Sequence, residues 1–118
     1  MRKVLIVDDE ARILRFLELK LKVAGYDVVS AASGEKALTL ARSEKPDIVL
    51  LDIIMPGIDG LEVLQEIRKF SQVPVIVFSA RSGNTEKAMK LGANDYVAKP
   101  FSPDELIMRV NTLLPASD

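Results

Sequence analysis

Five polar residues of this sequence could do chemistry together: Asp8, Asp9, Asp52, Ser79 and Lys99. Three carboxylates and a lysine make a poor site for an apolar ligand and a good one for a hard cation. Magnesium takes oxygen ligands, typically one or two carboxylates together with water and a phosphate. A carboxylate can also act as a nucleophile and carry a phosphoryl group as an aspartyl-phosphate. In such a site the lysine would balance charge, and the serine hydroxyl could donate a hydrogen bond to a phosphoryl oxygen. Each residue alone has a plainer reading. An Asp after a strand is ordinarily a helix cap or a turn residue, a Ser caps or turns, and a Lys is usually solvated. Capping does not explain why these five stand at the ends of four separate apolar runs.

Those runs are the elements that must position the set. Val4-Leu5-Ile6-Val7 leads into Asp8-Asp9, Ile48-Val49-Leu50-Leu51 into Asp52, and Val75-Ile76-Val77-Phe78 into Ser79. The runs are continuous rather than alternating, which fits strands buried on both faces of a parallel sheet. Val28-Val29-Ser30-Ala31 and Asp95-Tyr96-Val97-Ala98 are weaker strand candidates, and the latter leads into Lys99.

Amphipathic segments lie between them. From Glu10 to Ala24, Ile13, Leu14, Leu17 and Leu21 share a face, and Gly25 is the expected stop. Ser33 caps a second expected helix. Asp59 with Glu62 resembles a capping box, and Ser102-Pro103-Asp104-Glu105 carries the strongest helix-start signal in the chain. The segment from Asn84 to Leu91 has a thin apolar face and is the weakest expected helix. Alternation of this kind implies an α/β fold with right-handed crossovers and helices on both faces of the sheet. In such sheets ligands bind at the carboxyl ends of the strands, where all five polar residues fall.

The whole chain sets further bounds. Its 118 residues form one expected domain, 1–118, with Pro115 and Ala116-Ser117-Asp118 as its end or the start of a linker. With no cysteine and no histidine, disulfides, thiolate zinc sites, Ser/His/Asp catalysis and a histidine phosphodonor are excluded. Sixteen basic residues against 17 acidic ones give a net charge of −1, no footprint for nucleic acid. No apolar run approaches the ~20 residues of a membrane span, and the start lacks the features of a signal peptide. A cytoplasmic protein is expected.

Three segments carry a family resemblance: Val4-Leu5-Ile6-Val7-Asp8-Asp9-Glu10, Leu51-Asp52-Ile53-Ile54-Met55-Pro56-Gly57-Ile58-Asp59-Gly60, and Gly92-Ala93-Asn94-Asp95-Tyr96-Val97-Ala98-Lys99-Pro100-Phe101. In this order and spacing the chain resembles the response-regulator receiver domain of two-component signalling over nearly its whole length. The resemblance implies a flavodoxin-like, doubly wound, five-stranded parallel sheet in the order 2-1-3-4-5 with five helices. It implies Asp52 as phosphoacceptor, Asp9 as a direct Mg2+ ligand, Asp8 as one acting mainly through water, and the Ile54 backbone carbonyl as another. Lys99 would pair with Asp52 and then with the phosphoryl group. Ser79 would be the switch hydroxyl, Tyr96 the aromatic that turns inward, and Lys99-Pro100 a cis peptide. A sensor histidine kinase, or a small phosphodonor, would supply the phosphate. The signal would leave through the face of the fourth helix, fifth strand and fifth helix.

The resemblance is closest to receivers of the winged-helix transcription-factor subfamily. There Asp95, Glu105 and Arg109 would form a symmetric dimer face, although Thr85 and Asn94 depart from the usual pattern. Gly57 and Gly60 are expected to supply positive φ in the loop after Asp52. Met55 is expected to pack rather than ligate. Arg81-Ser82-Gly83-Asn84 reads as a loop, with Ile54 and Arg81 at positions that tune loss of phosphate.

Three other functions compete. An aspartyl-nucleophile phosphatase would carry a second Asp where Ile54 stands. A flavin module would not place Asp8-Asp9 against a phosphate. A degenerate receiver acting only as an interaction module would not need the complete acidic set. The expectation is therefore a phosphorylated switch rather than a turnover enzyme.

Overall fold

Continuous β-branched and leucine runs can be buried only if helices cover both faces of their sheet. The computed structural model, which describes residues 2–79 and 84–114, has that arrangement. β1 (Lys3–Val7), α1 (Ala11–Val23), β2 (Asp27–Ala31), α2 (Gly34–Ser43), β3 (Ile48–Asp52), α3 (Gly60–Arg68), β4 (Val75–Ser79), α4 (Thr85–Lys90), β5 (Asp95–Ala98) and α5 (Pro103–Leu113) follow one another. The five strands are parallel, in the order β2-β1-β3-β4-β5. The expected loop residues Arg81, Ser82 and Gly83, and the tail from Pro115, lie outside the described residues.

Alternation along the strands divides the core in two. Leu5, Val7, Val49, Leu51, Val75 and Val77 face a cluster that takes in Ala37 and Ala41 of α2, Val63, Leu64 and Ile67 of α3, and Ala88 of α4. Val4, Ile6, Ile48, Leu50, Ile76 and Phe78 face Leu14, Leu17 and Leu21 of α1 and Leu106 and Val110 of α5. Every residue of β3 and β4 is buried. The two weaker strand candidates, β2 and β5, are the edges of the sheet and are buried only in part.

Caps fix the helix starts. The side chains of Ser33, Asp59 and Ser102 accept hydrogen bonds from the backbone N–H groups of Lys36, Glu62 and Glu105, satisfying donors that a helix start leaves open. α4 is the shortest helix, and its N-cap residue Asn84 makes no side-chain cap bond. The Lys99-Pro100 peptide is cis, as expected.

One expectation fails. Gly57 has the positive φ foreseen for it, 77°, but Gly60 is not among the positive-φ glycines. Gly60 is required for a different reason. An added Cβ would stand 2.3 Å from the Asp52 carbonyl oxygen and 2.4 Å from the Ile53 Cα, so α3 starts directly against the backbone that carries Asp52. At Gly57 an added Cβ would meet nothing within 4 Å. Gly60→Ala is therefore expected to cost ~3 kcal/mol of stability. Gly57→Ala should cost about 1 kcal/mol, from the backbone conformation alone. Urea unfolding midpoints of the two variants check the order.

Candidate functional site

The sheet order brings the carboxyl ends of β1, β3, β4 and β5 together, and with them residues far apart in sequence. Asp8 follows β1 and is fully buried, and Asp52 ends β3 at 3% exposure. The Lys99 ammonium lies between them. Its Nζ donates to Asp52 Oδ2 at 3.1 Å and to Asp8 Oδ2 at 3.3 Å. The other oxygen of each carboxylate accepts a backbone N–H. Glu10 donates to Asp8 Oδ1 at 2.9 Å, and Ile54 to Asp52 Oδ1 at 3.1 Å. Asp9 is exposed. One oxygen from each of Asp8, Asp9 and Asp52 lies within 4.8 Å of the others. Asp9, Glu10, Asp52, Ile54 and Lys99 line an open cleft of about 380 Å3 over this group.

Aromatic rings, not foreseen from the sequence, hold the lysine from below. Lys99 Nζ sits 5.3 Å from the centre of the Phe78 ring, a cation–π distance. Phe101 packs edge-on to Phe78 at 5.5 Å. The sequence signal was present, in an aromatic just before Ser79 and another just after Pro100, but only the fold makes them neighbours.

Ser79 is fully buried at the end of β4, opposite Ala98 in register, and its carbonyl accepts the Lys99 N–H at 2.9 Å. It thus joins the set through the backbone of the strand that carries Lys99. Tyr96 is half-buried against the α2-α3-α4 side of the core. Met55 is buried in the same cluster, as a packing residue. Asp95, Glu105 and Arg109 lie away from the cleft and pair with one another. Arg109 Nη1 reaches both Asp95 oxygens at 2.8 Å, and Nη2 reaches Glu105 at 3.3 Å.

The electrostatics of the cleft are unbalanced. Burial raises the pKa of Asp8 above the ordinary carboxylate value, against the N–H of Glu10 and the charge of Lys99. Burial likewise raises Asp52, helped by the charge of Asp8 and opposed by Lys99. For Lys99, burial works downward, but Asp52 and Asp8 outweigh it and its pKa is raised. One ammonium thus faces three carboxylates, two of them out of water. Leaving buried charge incompletely paired costs several kcal/mol. The donor set fits a hard divalent cation: carboxylate oxygens, no sulfur or nitrogen ligand, and an open side for water.

Comparisons with known proteins point to one family. Residues 4–111 match the family model described as the response regulator receiver domain. A relative named "Probable transcriptional regulator ycf27" from Guillardia theta is 53% identical over 114 residues, covering 95% of this chain and 45% of that protein. The chain spans about half the length of the curated relatives it matches. Among solved structures, the receiver domain of the Francisella response regulator 1452 superposes with a TM-score of 0.90 at 40% identity, covering 96% of each chain. The response regulator TrrA of Thermotoga maritima, solved in complex with Mg(2+)-BeF, superposes with a TM-score of 0.88 at 41% identity, covering 96% of this chain and 99% of that one.

The raised carboxylate values give a prediction with a definite sign. A carboxyl whose folded pKa lies above its unfolded value binds more protons when folded. Metal-free stability therefore falls as pH rises from the unfolded value, about 4, through the raised folded values of Asp8 and Asp52. Asp8→Asn removes one of the two buried charges and leaves Asp52 paired with Lys99. It should make the metal-free protein more stable at pH 7, by on the order of 1 kcal/mol, and flatten the slope. Thermal unfolding in a chelator at several pH values checks this.

Proposed function

Given that the chain belongs to the response regulator receiver domain family, we propose that Asp52 is its phosphoacceptor and that phosphorylation there switches the α4-β5-α5 surface. The observation that carries this reading is the Lys99 ammonium held between Asp52 and Asp8, beneath a cleft with an excess of carboxylate. An Asp52 oxygen attacks the phosphorus of a phosphohistidine on a sensor histidine kinase, or of a small acyl phosphate. A P–O bond forms to Asp52, and the bond to the imidazole nitrogen or the acyl oxygen breaks. Mg2+, held by Asp8, Asp9, Asp52 and the Ile54 carbonyl, would supply positive charge for the phosphoryl oxygens. Lys99 gives up Asp52 as a partner and follows the new phosphoryl group. The Ile54 N–H, already on Asp52 Oδ1, holds the carboxylate in place.

The phosphoryl adds roughly −1.5 to −2 charge, by analogy with other phosphorylated side chains. Ser79 would be the hydroxyl that answers it, and Tyr96 the aromatic that turns inward. A cytoplasmic location goes with a kinase-borne phosphate. The ycf27 relatives are named as transcriptional regulators, and the switched face would govern an output domain of that kind. No DNA contact is assigned to this domain. A symmetric dimer through α4-β5-α5 is part of the reading. To form it, Arg109 must trade its Asp95 and Glu105 partners within the chain for those of a second copy. The phosphatase alternative lacks its acid, since Ile54 stands two residues past Asp52.

Acetyl phosphate with Mg2+ should add the mass of one phosphoryl group. A chelator or Asp52→Asn should abolish the adduct, and its persistence in Asp52→Asn would refute the assignment. The same sample should sediment as a dimer if the face is switched. Ile54 is exposed beside Asp52 and hinders an attacking water, so the Ile54→Ala phosphoprotein should decay faster.

A further inference from the structure

A second polar knot lies at the opposite edge of the sheet, where the strands begin. Arg68, at the end of α3, donates through Nε and Nη2 to the Gly92 carbonyl at 3.2 and 2.9 Å. Its Nη1 donates to the carbonyls of Ser71 and Val73 at 3.2 and 2.7 Å, and Nη2 also reaches Asn94 Oδ1 at 3.1 Å. These bonds occupy all five N–H groups of the guanidinium. Every acceptor is neutral, and among the described residues no carboxylate pairs with Arg68. Asn94 extends the knot into the sheet. Its side-chain oxygen accepts the Val75 N–H at 2.9 Å, and its own N–H donates to the Val75 carbonyl at 2.8 Å. Gly92 has φ +106°, and an added Cβ would stand 3.0 Å from Arg68 Nε.

The carboxyl end of α4 is tied to this knot. Its last turn is closed by Leu91, Gly92 and Ala93 N–H groups bonding back to Lys87, Met89 and Ala88 carbonyls, and it runs directly into the Arg68 knot. At its start Asn84 adds no side-chain cap bond, while Thr85 has an interaction of its own. Within the helix only Ala88 is buried. Resting on the reading of Asp52 as phosphoacceptor, we propose that Arg68 is a positioning residue that pins the carboxyl end of α4. The rearrangement set off at Asp52 then pivots at Gly92 and displaces the amino end of the helix.

Amide NMR of the whole chain tests this in two arms. In the free protein, Arg68→Lys keeps the charge and loses the fork. Exchange at Gly92, Ala93 and Asn94 should speed up about tenfold relative to Ile6 and Leu50. Asn94→Asp places a carboxylate against the guanidinium and should slow the same amides. In the second arm, beryllofluoride with Mg2+ should shift wild-type amides at Asn84–Ala88 and leave Gly92–Asn94 nearly still, whereas in Arg68→Lys the shifts should extend through Asn94. Exchange at 92–94 rising only in step with Ile6 and Leu50 would overturn the clamp. Wild-type shifts as large at 92–94 as at 84–86 would overturn the pivot. No response to beryllofluoride in either protein would sink the phosphoacceptor reading and the pivot with it, while the exchange arm still decides the clamp.

Discussion

Two buried carboxylates share one ammonium at the carboxyl edge of this sheet, and the rest of the structure serves that unequal pairing. Asp8 and Asp52 give up solvation, and Lys99 with two backbone N–H groups recovers only part of it. Replacing such a cluster with apolar side chains is often stabilising. Its cost is thus a property of the apoprotein, and it makes the site receptive to added positive charge. On the proposed reading, a cation would relieve the carboxylates and a phosphoryl group on Asp52 would then give Lys99 a new partner.

The fold meets that need by rigid support on three sides. β1 and β3 are neighbours in the sheet and deliver Asp8 and Asp52 from backbones with no freedom to retreat. α3 begins so close beneath Asp52 that its first residue must be Gly60. Phe78 and Phe101 support the lysine. Packing is thinner at α4. α4 is six residues long and contributes one buried side chain, whereas every residue of β4 is buried. A site that stores a signal needs both properties: fixed geometry at the acceptor and a weakly held element nearby that can take a second arrangement.

Much of this was legible in the sequence because burial on two faces leaves a strong mark. β1, β3 and β4 stood out as unbroken apolar runs, and the polar residues ending them located the cleft. β2 and β5 were faint for a physical reason, since edge strands carry polar residues toward solvent. The helix starts at Ser33, Asp59 and Ser102 followed from capping chemistry. What escaped were interactions with no code in residue order. Arg68 acts on backbone carbonyls, which any residue offers. The support of Lys99 by two phenylalanines depends on β4 and the turn after β5 meeting in space. Gly60 was assigned a turn conformation when its role is to be small. The pairing of Arg109 with Asp95 and Glu105 within one chain was likewise not foreseen.

If charge imbalance in the cleft is what prepares it for metal and phosphate, stability must respond to Mg2+ through Asp8 and Asp9 themselves. Urea unfolding at pH 7 across a range of Mg2+ concentrations reads this directly. The unfolding free energy should climb by about 1.4 kcal/mol per tenfold Mg2+ once binding saturates. Asp9→Asn, which keeps the buried pair intact, should move the rise to higher concentration, and a double Asp8→Asn, Asp9→Asn variant should lose it. A wild-type stability indifferent to Mg2+, or an equal rise in the double variant, would contradict the account.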